Sequence, residues 1–181
     1  MNIFCGRPSE IYGREERELR VYELLDSLNI EYERCDHAPA VTMEDCEAVD
    51  IAMGVRMCKN LFLCNRQRTD FYLLLIPADK PFKTKELSAQ LGVSRLSFAS
   101  AEDMERLLDI KPGAVSVLGL MNDKACEVRL LVDEDLLSCE YFGAHPCVNT
   151  SSLKFKTTDL FEKILPAVNH DNTIVELSGE N

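Results

Sequence analysis

The chain has 181 residues, of which 46% are hydrophobic, and a formal net charge of −11 at neutral pH. This length and composition suit one globular domain, and no apolar run reaches the roughly 20 residues of a transmembrane helix. The N-terminus does not resemble a signal peptide, so we predict a cytoplasmic protein without a membrane partner. The negative charge counts against extended nucleic-acid binding; we expect no DNA partner, and RNA contact only through a local cationic patch.

The first half of the chain predicts two helices, a strand and a hairpin. Residues 14–29 place apolar side chains at helical spacing, which indicates an amphipathic helix, and a short strand follows at 31–34. Thr42 opens a capping pattern that predicts a second helix, through residue 52. The apolar runs 57–64 and 71–76 flank a polar turn, and this arrangement predicts a hairpin.

The second half mixes strands and helices. Helices are predicted at 83–91, at 101–108 with Ser100 as the N-cap, and at 158–168. Strands are predicted at 115–118, 127–132, 139–142 and 148–153. Because the elements do not alternate strictly, the fold class is α+β. Without an internal repeat or a linker, residues 1–181 should form a single domain, with residues 1–13 a mobile N-terminal segment.

Cysteine and histidine give little sign of a metal site. The chain has eight cysteines but no Cys-x-x-Cys pair, and a core of ordinary size needs no disulfide framework, so most of them should be reduced. The histidines, at 37, 145 and 170, do not combine with the cysteines in a recognised ligand spacing. We therefore expect neither a metal nor another cofactor.

Lys59 and Asn60 stand side by side at the entry to an otherwise apolar strand. Successive side chains of a strand point to opposite faces, so at least one of the two must face a cleft or solvent. A phosphate, carbonyl or hydroxyl of a ligand would satisfy these groups. The structural alternative is that Lys59 extends to water while Asn60 caps a local turn.

Two downstream turns carry further candidates. Residues 111–117 form a turn of small residues whose backbone N–H groups can approach a ligand closely, because glycine permits close contact. Residues 143–150 place His145 in a rigid turn before a strand, where an imidazole can position or protonate a reacting group near neutral pH. A structural hydrogen bond is the alternative role for this histidine.

Taken together, these segments resemble the freestanding homologues of the editing domain of bacterial prolyl-tRNA synthetases, the YbaK/ProX type, over nearly the whole chain. The segments that carry the resemblance are 58–63 (CKNLFL), 95–102 (RLSFASAE), 111–115 (KPGAV), 122–123 (ND), 145–146 (HP) and 149–150 (NT). Within the family the chain is most similar to the alanyl-tRNA(Pro) deacylase branch. The resemblance implies a mixed, mostly antiparallel sheet with flanking helices.

The same resemblance implies roles for individual residues. It makes Lys59 the essential lysine, Asn60 its neighbouring amide and His145 the pocket histidine. The residues expected to bind the substrate are Gly113, Ala114, Val115 and Asn149. Two positions depart from the family pattern: the substrate loop commonly runs Gly-x-x-x-Pro but ends here in Val117, and a histidine often found two residues before the lysine is Met57. Both departures bear on which amino acid is preferred.

The implied reaction is hydrolysis of the ester that joins a mischarged alanine to proline tRNA. The ester is already activated, so positioning and charge stabilisation suffice. Lys59 would hold the terminal phosphate or the ester oxygen, and Asn60 with the backbone of 113–115 would orient the aminoacyl group. The proton would pass through His145 or the vicinal ribose hydroxyl, and the sequence does not choose between them.

The implied partner is the acceptor end of mischarged tRNA(Pro), with prolyl-tRNA synthetase as a second possible partner. Cations that could contact the RNA lie at Lys80, Lys83, Lys85, Arg66 and Arg68, although a solvated charged loop is the simpler interpretation. Three other functions stay open: a deacylase for another small aminoacyl ester such as cysteinyl-tRNA(Pro), a thiol enzyme using Cys147 or Cys58, and a non-catalytic module that binds tRNA or a synthetase.

Overall fold

The computed structural model describes residues 1–39 and 43–179, and its regular elements form two sheets with helices packed around them. The strands are β1 (Ile3–Cys5), β2 (Tyr32–Asp36), β3 (Cys58–Cys64), β4 (Phe71–Pro77), β5 (Ser97–Phe98), β6 (Val128–Asp133), β7 (Tyr141–Ala144), β8 (Ser151–Lys156) and β9 (Asn172–Val175). The helices are α1 (Glu16–Ser27), α2 (Met43–Met53), α3 (Thr84–Leu91), α4 (Ala101–Leu108), α5 (Thr157–Asp159) and α6 (Leu165–Ala167).

The larger sheet has the strand order β5-β3-β4-β6-β9. β3 pairs antiparallel with β4 and β5, whereas β6 runs parallel to both β4 and β9. Residues 71–76 of β4 are all buried, as expected of a central strand covered on both faces. One face contributes Phe62 and Leu73 to the main core, and the other contributes Leu63 and Leu74 to a second cluster with α3.

The smaller sheet is wholly antiparallel, in the order β1-β2-β8-β7. A single parallel bridge between Met57 and Gly143 joins the start of β3 to β7 of this sheet. The approach is close because Gly143 has no side chain: a Cβ atom there would lie 2.4 Å from the Met57 sulfur. Gly143 thus allows the two sheets to meet beside Lys59.

Local chemistry explains several helix boundaries. The Ser100 hydroxyl accepts a hydrogen bond from the Asp103 N–H and starts α4, and Gly92 ends α3 in the left-handed conformation. Between α5 and α6 the chain forms a π-helical turn, Leu160–Ile164. Pro166, two residues after this turn, has no N–H to donate to it, which accounts for the irregularity.

The structure confirms the α+β class with mixed, mostly antiparallel sheets, and the hairpin lies within a residue of its predicted bounds. The strand predicted at 115–118 is wrong, because the chain forms the 3-10 helix Val117–Asn122 after Ser116 caps its first turn. Strands β1, β5 and β9 were not predicted. Thr42, which was predicted to start the second helix, lies outside the described residues. Although β1 belongs to residues 1–13, the mobility of that segment stays a prediction.

The helices within residues 1–39 and 43–179 include none with the length and apolar character needed to cross a bilayer.

Candidate active site

Asn60 lies on the face of β3 that points toward the main core, in line with Cys58 and Phe62. Its side-chain oxygen accepts a hydrogen bond of 3.2 Å from the N–H of Val117, and its amide nitrogen donates to the Cys58 carbonyl at 3.2 Å. These two bonds fix the carboxamide from both ends. They also connect β3 directly to the loop that was predicted to bind substrate.

The loop 111–116 is a tight turn held against that face. The Ala114 N–H donates to the Lys111 carbonyl at 3.1 Å, and Gly113 has a φ of +89°, which favours glycine. A Cβ atom at Gly113 would lie 3.6 Å from the side-chain nitrogen of Asn149. The structure therefore brings the turn of Gly113 next to the turn that carries Asn149 and His145. Ala114 is buried and Val115 is half-buried in the same loop.

His145 follows β7 directly and belongs to a hydrogen-bonded group with a second histidine. Its Nδ1 lies 3.0 Å from the Ser151 carbonyl and 3.3 Å from the Ser152 hydroxyl. The same hydroxyl lies 2.9 Å from Nε2 of His37, and the two imidazole rings are 6.2 Å apart. Pairing of β2 with β8 places Cys35 opposite Ser152 and so carries His37 to this position.

The partners assign the protons in this group. Nδ1 of His145 must be the N–H, because the Ser151 carbonyl can only accept. Nδ1 of His37 lies 2.8 Å from the Ala38 carbonyl and donates there, and its Nε2 shares a hydrogen bond with the Ser152 hydroxyl. Nε2 of His145 then carries a lone pair, and it forms no hydrogen bond with any described residue.

Burial keeps His145 neutral. Removal of the ring from water, with a smaller effect from His37, lowers the pKa of His145 below its ordinary value of 6.5, although the bond to the Ser151 carbonyl opposes the shift. At neutral pH the free Nε2 is therefore an acceptor. It can receive a hydrogen bond from a hydroxyl or an ammonium group of a substrate.

Lys59 lies on the opposite face of β3, the face of Leu61 and Leu63. Its ammonium donates to the Lys80 carbonyl at 2.6 Å and is only partly buried. A cavity of about 430 Å³ opens beside this contact and is lined by Met57, Pro77 and Lys80 among others. The structure thus places Lys59 and Asn60 around one strand edge but on different faces.

The bridge between Met57 and Gly143 relates Lys59 to His145. Lys59 is two residues beyond Met57 and His145 is two residues beyond Gly143, and the bridge is parallel. The two residues therefore leave the junction in the same direction. The bridge therefore relates His145 to Lys59, whereas Asn60 is connected to the turn of His145 through Val117, Gly113 and Asn149.

The predicted RNA-contacting cations differ in availability. The Lys80 ammonium lies 2.9 Å from carboxylate oxygens of both Asp133 and Asp135. Burial lowers the pKa of Lys80, but these bonds outweigh the burial and raise it above its ordinary value. Lys83 and Lys85 are exposed and form no ion pair with other described residues.

His37 and Ser152 were missed by the sequence. Their position depends on the register between strands whose paired residues, Cys35 and Ser152, lie far apart in the chain, and no local pattern shows this. The one available signal was that His37 follows a predicted short strand and is one of three histidines. Among the described residues, no group of three or more His, Cys, Asp or Glu side chains has the arrangement of a metal site.

Comparison with known proteins gives the family. The model of the aminoacyl-tRNA editing domain matches residues 37–163, which include every residue of the site described above. The chain belongs to this family. The chain is thus an aminoacyl-tRNA hydrolase of the editing type.

Individual relatives agree with this assignment. The prolyl-tRNA editing protein ProX of Acetoanaerobium sticklandii is 33% identical over 153 residues, covering 84% of this chain and 93% of that protein. The prolyl-tRNA synthetase associated domain-containing protein 1 of Danio rerio is 28% identical over 155 residues, covering 84% and 83%. A solved structure provisionally described as a trans-editing enzyme for prolyl tRNA synthetase has a TM-score of 0.67 and 16% identity, covering 91% and 99%; it supports the fold.

Proposed function

We propose that the protein removes alanine from mischarged tRNA(Pro) by hydrolysing the ester between the alanyl group and the terminal ribose. The observation that carries this proposal is the meeting of three segments. Asn60 is bonded to the N–H of Val117, Gly113 packs against Asn149, and His145 presents a free Nε2. The relative from Acetoanaerobium sticklandii is a prolyl-tRNA editing protein, which supports the same choice of tRNA.

In the proposed reaction a water oxygen attacks the ester carbonyl, the bond to the ribose oxygen breaks, and that oxygen takes the proton that water loses. The products are alanine and tRNA with free hydroxyls. Neutral His145 accepts a hydrogen bond from the vicinal ribose hydroxyl through Nε2 and so orients it toward the water. Asn60 and the backbone of Gly113 and Ala114 hold the aminoacyl group in place.

Lys59 supplies the positive charge in this scheme. Its ammonium donates to one carbonyl of the protein, and so retains donors for a phosphate or for the developing charge on the ester oxygen. A lysine is a compact point charge on a flexible chain, which allows it to leave the Lys80 carbonyl when substrate enters. In the protein without substrate, the Lys59 ammonium therefore stays on the Lys80 carbonyl.

Selection of a small amino acid follows from the packing around the loop. The side chains of Ala114, Val117, Cys147 and Val148 are all buried, and in this proposal they close the pocket for the amino acid. A pocket of this kind separates side chains by roughly 1–3 kcal/mol per methylene. Cysteinyl-tRNA(Pro) is the second candidate substrate, because its side chain is close to alanine in size.

Hydrolysis of alanyl-, cysteinyl- and prolyl-tRNA(Pro) by the wild type and by Lys59→Ala tests the proposal. We expect fast turnover of the alanyl ester, slower turnover of the cysteinyl ester, and sparing of the prolyl ester. Lys59→Ala should reduce the alanyl rate by about 100-fold. Lys156→Ala, which removes an exposed lysine from the other sheet, is the control. Full activity of folded Lys59→Ala would remove this lysine from the mechanism.

A further inference from the structure

A groove of about 720 Å³ runs beside the turn between β3 and β4. It is lined by residues 64–66, Arg68, Thr84, 95–98 and Ser100, and we call it the arginine groove. We propose that the arginine groove binds the RNA chain of the substrate, with phosphates on Arg66 and Arg95 and a base stacked on Phe98. This inference rests on the proposed function, because it concerns how the same substrate is held away from the ester.

The first support is uncompensated charge. Arg66 and Arg95 are both exposed, and neither forms an ion pair within the described part of the chain. Lys83 and Lys85, equally free, flank Thr84 at the groove wall. Four available cations around one groove stand out on a chain with a net charge of −11. A local cluster of positive charges attracts phosphate, whereas the negative charge of the rest of the surface repels it.

The wall of the groove is itself fixed. Arg68 is bonded to the buried carboxylate of Asp103 at 2.9 Å and to the Ser100 hydroxyl at 3.2 Å. Burial would raise the pKa of Asp103, but the hydrogen bond from Arg68 outweighs it and lowers that pKa, so this carboxylate is ionised and occupied. Asp103 is therefore occupied by Arg68, whereas Arg66 and Arg95 have no ion-pair partner among the described residues.

The second support is an exposed aromatic ring. Phe98 is 62% exposed, although it belongs to β5 and pairs with Leu63. Its ring meets the edge of Phe82 with centroids 6.5 Å apart and planes at 72°, which supports the ring on one side. A fixed ring beside arginines is the arrangement with which proteins bind single-stranded nucleic acid, since every base has a flat face to stack.

The third support is the position relative to Lys59. Phe98 lies opposite Leu63, which is on the same face of β3 as Lys59 and four residues further on. Four residues of a strand span about 13 Å. One stacked nucleic-acid strand advances about 3.4 Å per phosphate, so about four nucleotides cover the distance. The distance from Phe98 to Lys59 is therefore one that an unpaired 3′ end can span.

An acidic protein segment would also be attracted by the cations. The exposed ring of Phe98 and the alignment with Lys59 favour RNA, because a protein partner would not need to reach the catalytic lysine. A direct binding measurement with RNA distinguishes an RNA partner from a protein partner. The probe is an RNA hairpin with an acceptor stem and a 3′-CCA end, labelled with a fluorophore at its loop.

The test compares Arg66→Ala/Arg95→Ala, Phe98→Leu and Phe98→Tyr with a control of equal charge change, Arg7→Ala/Lys156→Ala, at the other sheet. We expect the arginine variant to bind the hairpin more weakly than the wild type. The slope of the logarithm of the binding constant against the logarithm of the salt concentration should become smaller in magnitude by about 1.4, which is about 0.7 for each of the two phosphates that are no longer neutralised. Phe98→Leu should raise Kd about fivefold or more, whereas Phe98→Tyr keeps the stacking face. The control should bind like the wild type.

Hydrolysis rates on two esters distinguish the proposed RNA-binding groove from the proposed deacylase function. The groove variants should lose kcat/KM on alanyl-tRNA but hydrolyse the 3′-alanyl ester of adenosine 5′-monophosphate like the wild type, since that ester reaches only the active site. Unchanged hairpin affinity in the arginine variant, or loss of affinity for prolyl-tRNA synthetase alone, overturns the RNA assignment. If the wild type hydrolyses neither ester, the proposed function fails, while the hairpin affinities still decide the groove.

Discussion

The polar groups of Asn60 and His145 are held by hydrogen bonds to the backbone, whereas on the Lys59 face of β3 several exposed cations have no ion-pair partner among the described residues. The Val117 N–H holds the carboxamide of Asn60, the Ser151 carbonyl holds the imidazole of His145, and the turn of Gly113 lies against Asn149. The other face has Lys59 on a single carbonyl and the exposed Lys83 and Arg95 beyond it.

The difference indicates a division of labour along one strand. Groups that orient a small aminoacyl ester must not move, because a displacement of about 1 Å costs much of the rate. Groups that hold a flexible RNA end gain from adjustable side chains and long-range attraction. Changes on the first face should therefore alter kcat, and changes on the second face should alter KM and its dependence on salt.

Replacement of His145 should have the largest effect. His145→Asn keeps a donor for the Ser151 carbonyl but removes the acceptor at Nε2, so we expect kcat to fall about 100-fold with little change in KM. His145→Ala should lose the same activity and in addition about 1 kcal/mol of unfolding free energy, because the carbonyl loses its partner. Single-turnover deacylation and thermal unfolding measure the two effects. Activity in His145→Asn near that of the wild type would assign the histidine a structural role alone.

The sequence predicted the strands and turns that carry these residues better than their arrangement. Alternation along a strand required Lys59 and Asn60 to face opposite sides, and the polar turn between two apolar runs located β3 and β4 closely. The sequence could not identify which segments of the chain each face of β3 would contact. That depends on the bridge between Met57 and Gly143 and on the register of β2 with β8, both of which pair residues distant in sequence.

Val117→Pro should have the next largest effect, because it removes one hydrogen bond from the fixed face. Val117 is the first residue of a 3-10 helix, and Ser116 before it is extended with φ −149° and ψ 144°, so the backbone can accept proline. Proline has no N–H for Asn60. We expect kcat for the alanyl ester to fall about fivefold, the value of one ordinary hydrogen bond.

Val117→Ala is the matched control, since it shortens the same buried side chain but keeps the N–H. It should unfold more easily than the wild type, by about 1 kcal/mol, with less loss of kcat than Val117→Pro. Equal losses in both variants would mean that packing at Val117, rather than the bond to Asn60, positions the substrate.

The pH dependence of the hydrolysis rate tests the role of His145 without a substitution, and we expect a smaller effect. Because His145 has a pKa below 6.5, the rate should stay level from neutral pH down to about 6.5 and fall only below it. The unfolded chain takes up the proton at its ordinary pKa while the folded protein does not, so unfolding free energy should also decrease as the pH falls below 6.5. Both trends should be weaker in His145→Asn. A rate that declines from pH 8 downward would contradict a buried neutral imidazole.

Alkylation should have the smallest effect, although a cysteine enzyme would lose all activity. Burial raises the pKa of both the Cys58 and the Cys147 thiols to about 12, so almost no thiolate is present at neutral pH. Iodoacetamide should modify exposed Cys5, Cys126 and Cys139 first, as mass spectrometry would show, while alanyl-tRNA hydrolysis continues unchanged. The thiols on the fixed face then act only in packing. Inactivation in proportion to labelling of Cys147 would instead make that sulfur, and not water, the nucleophile.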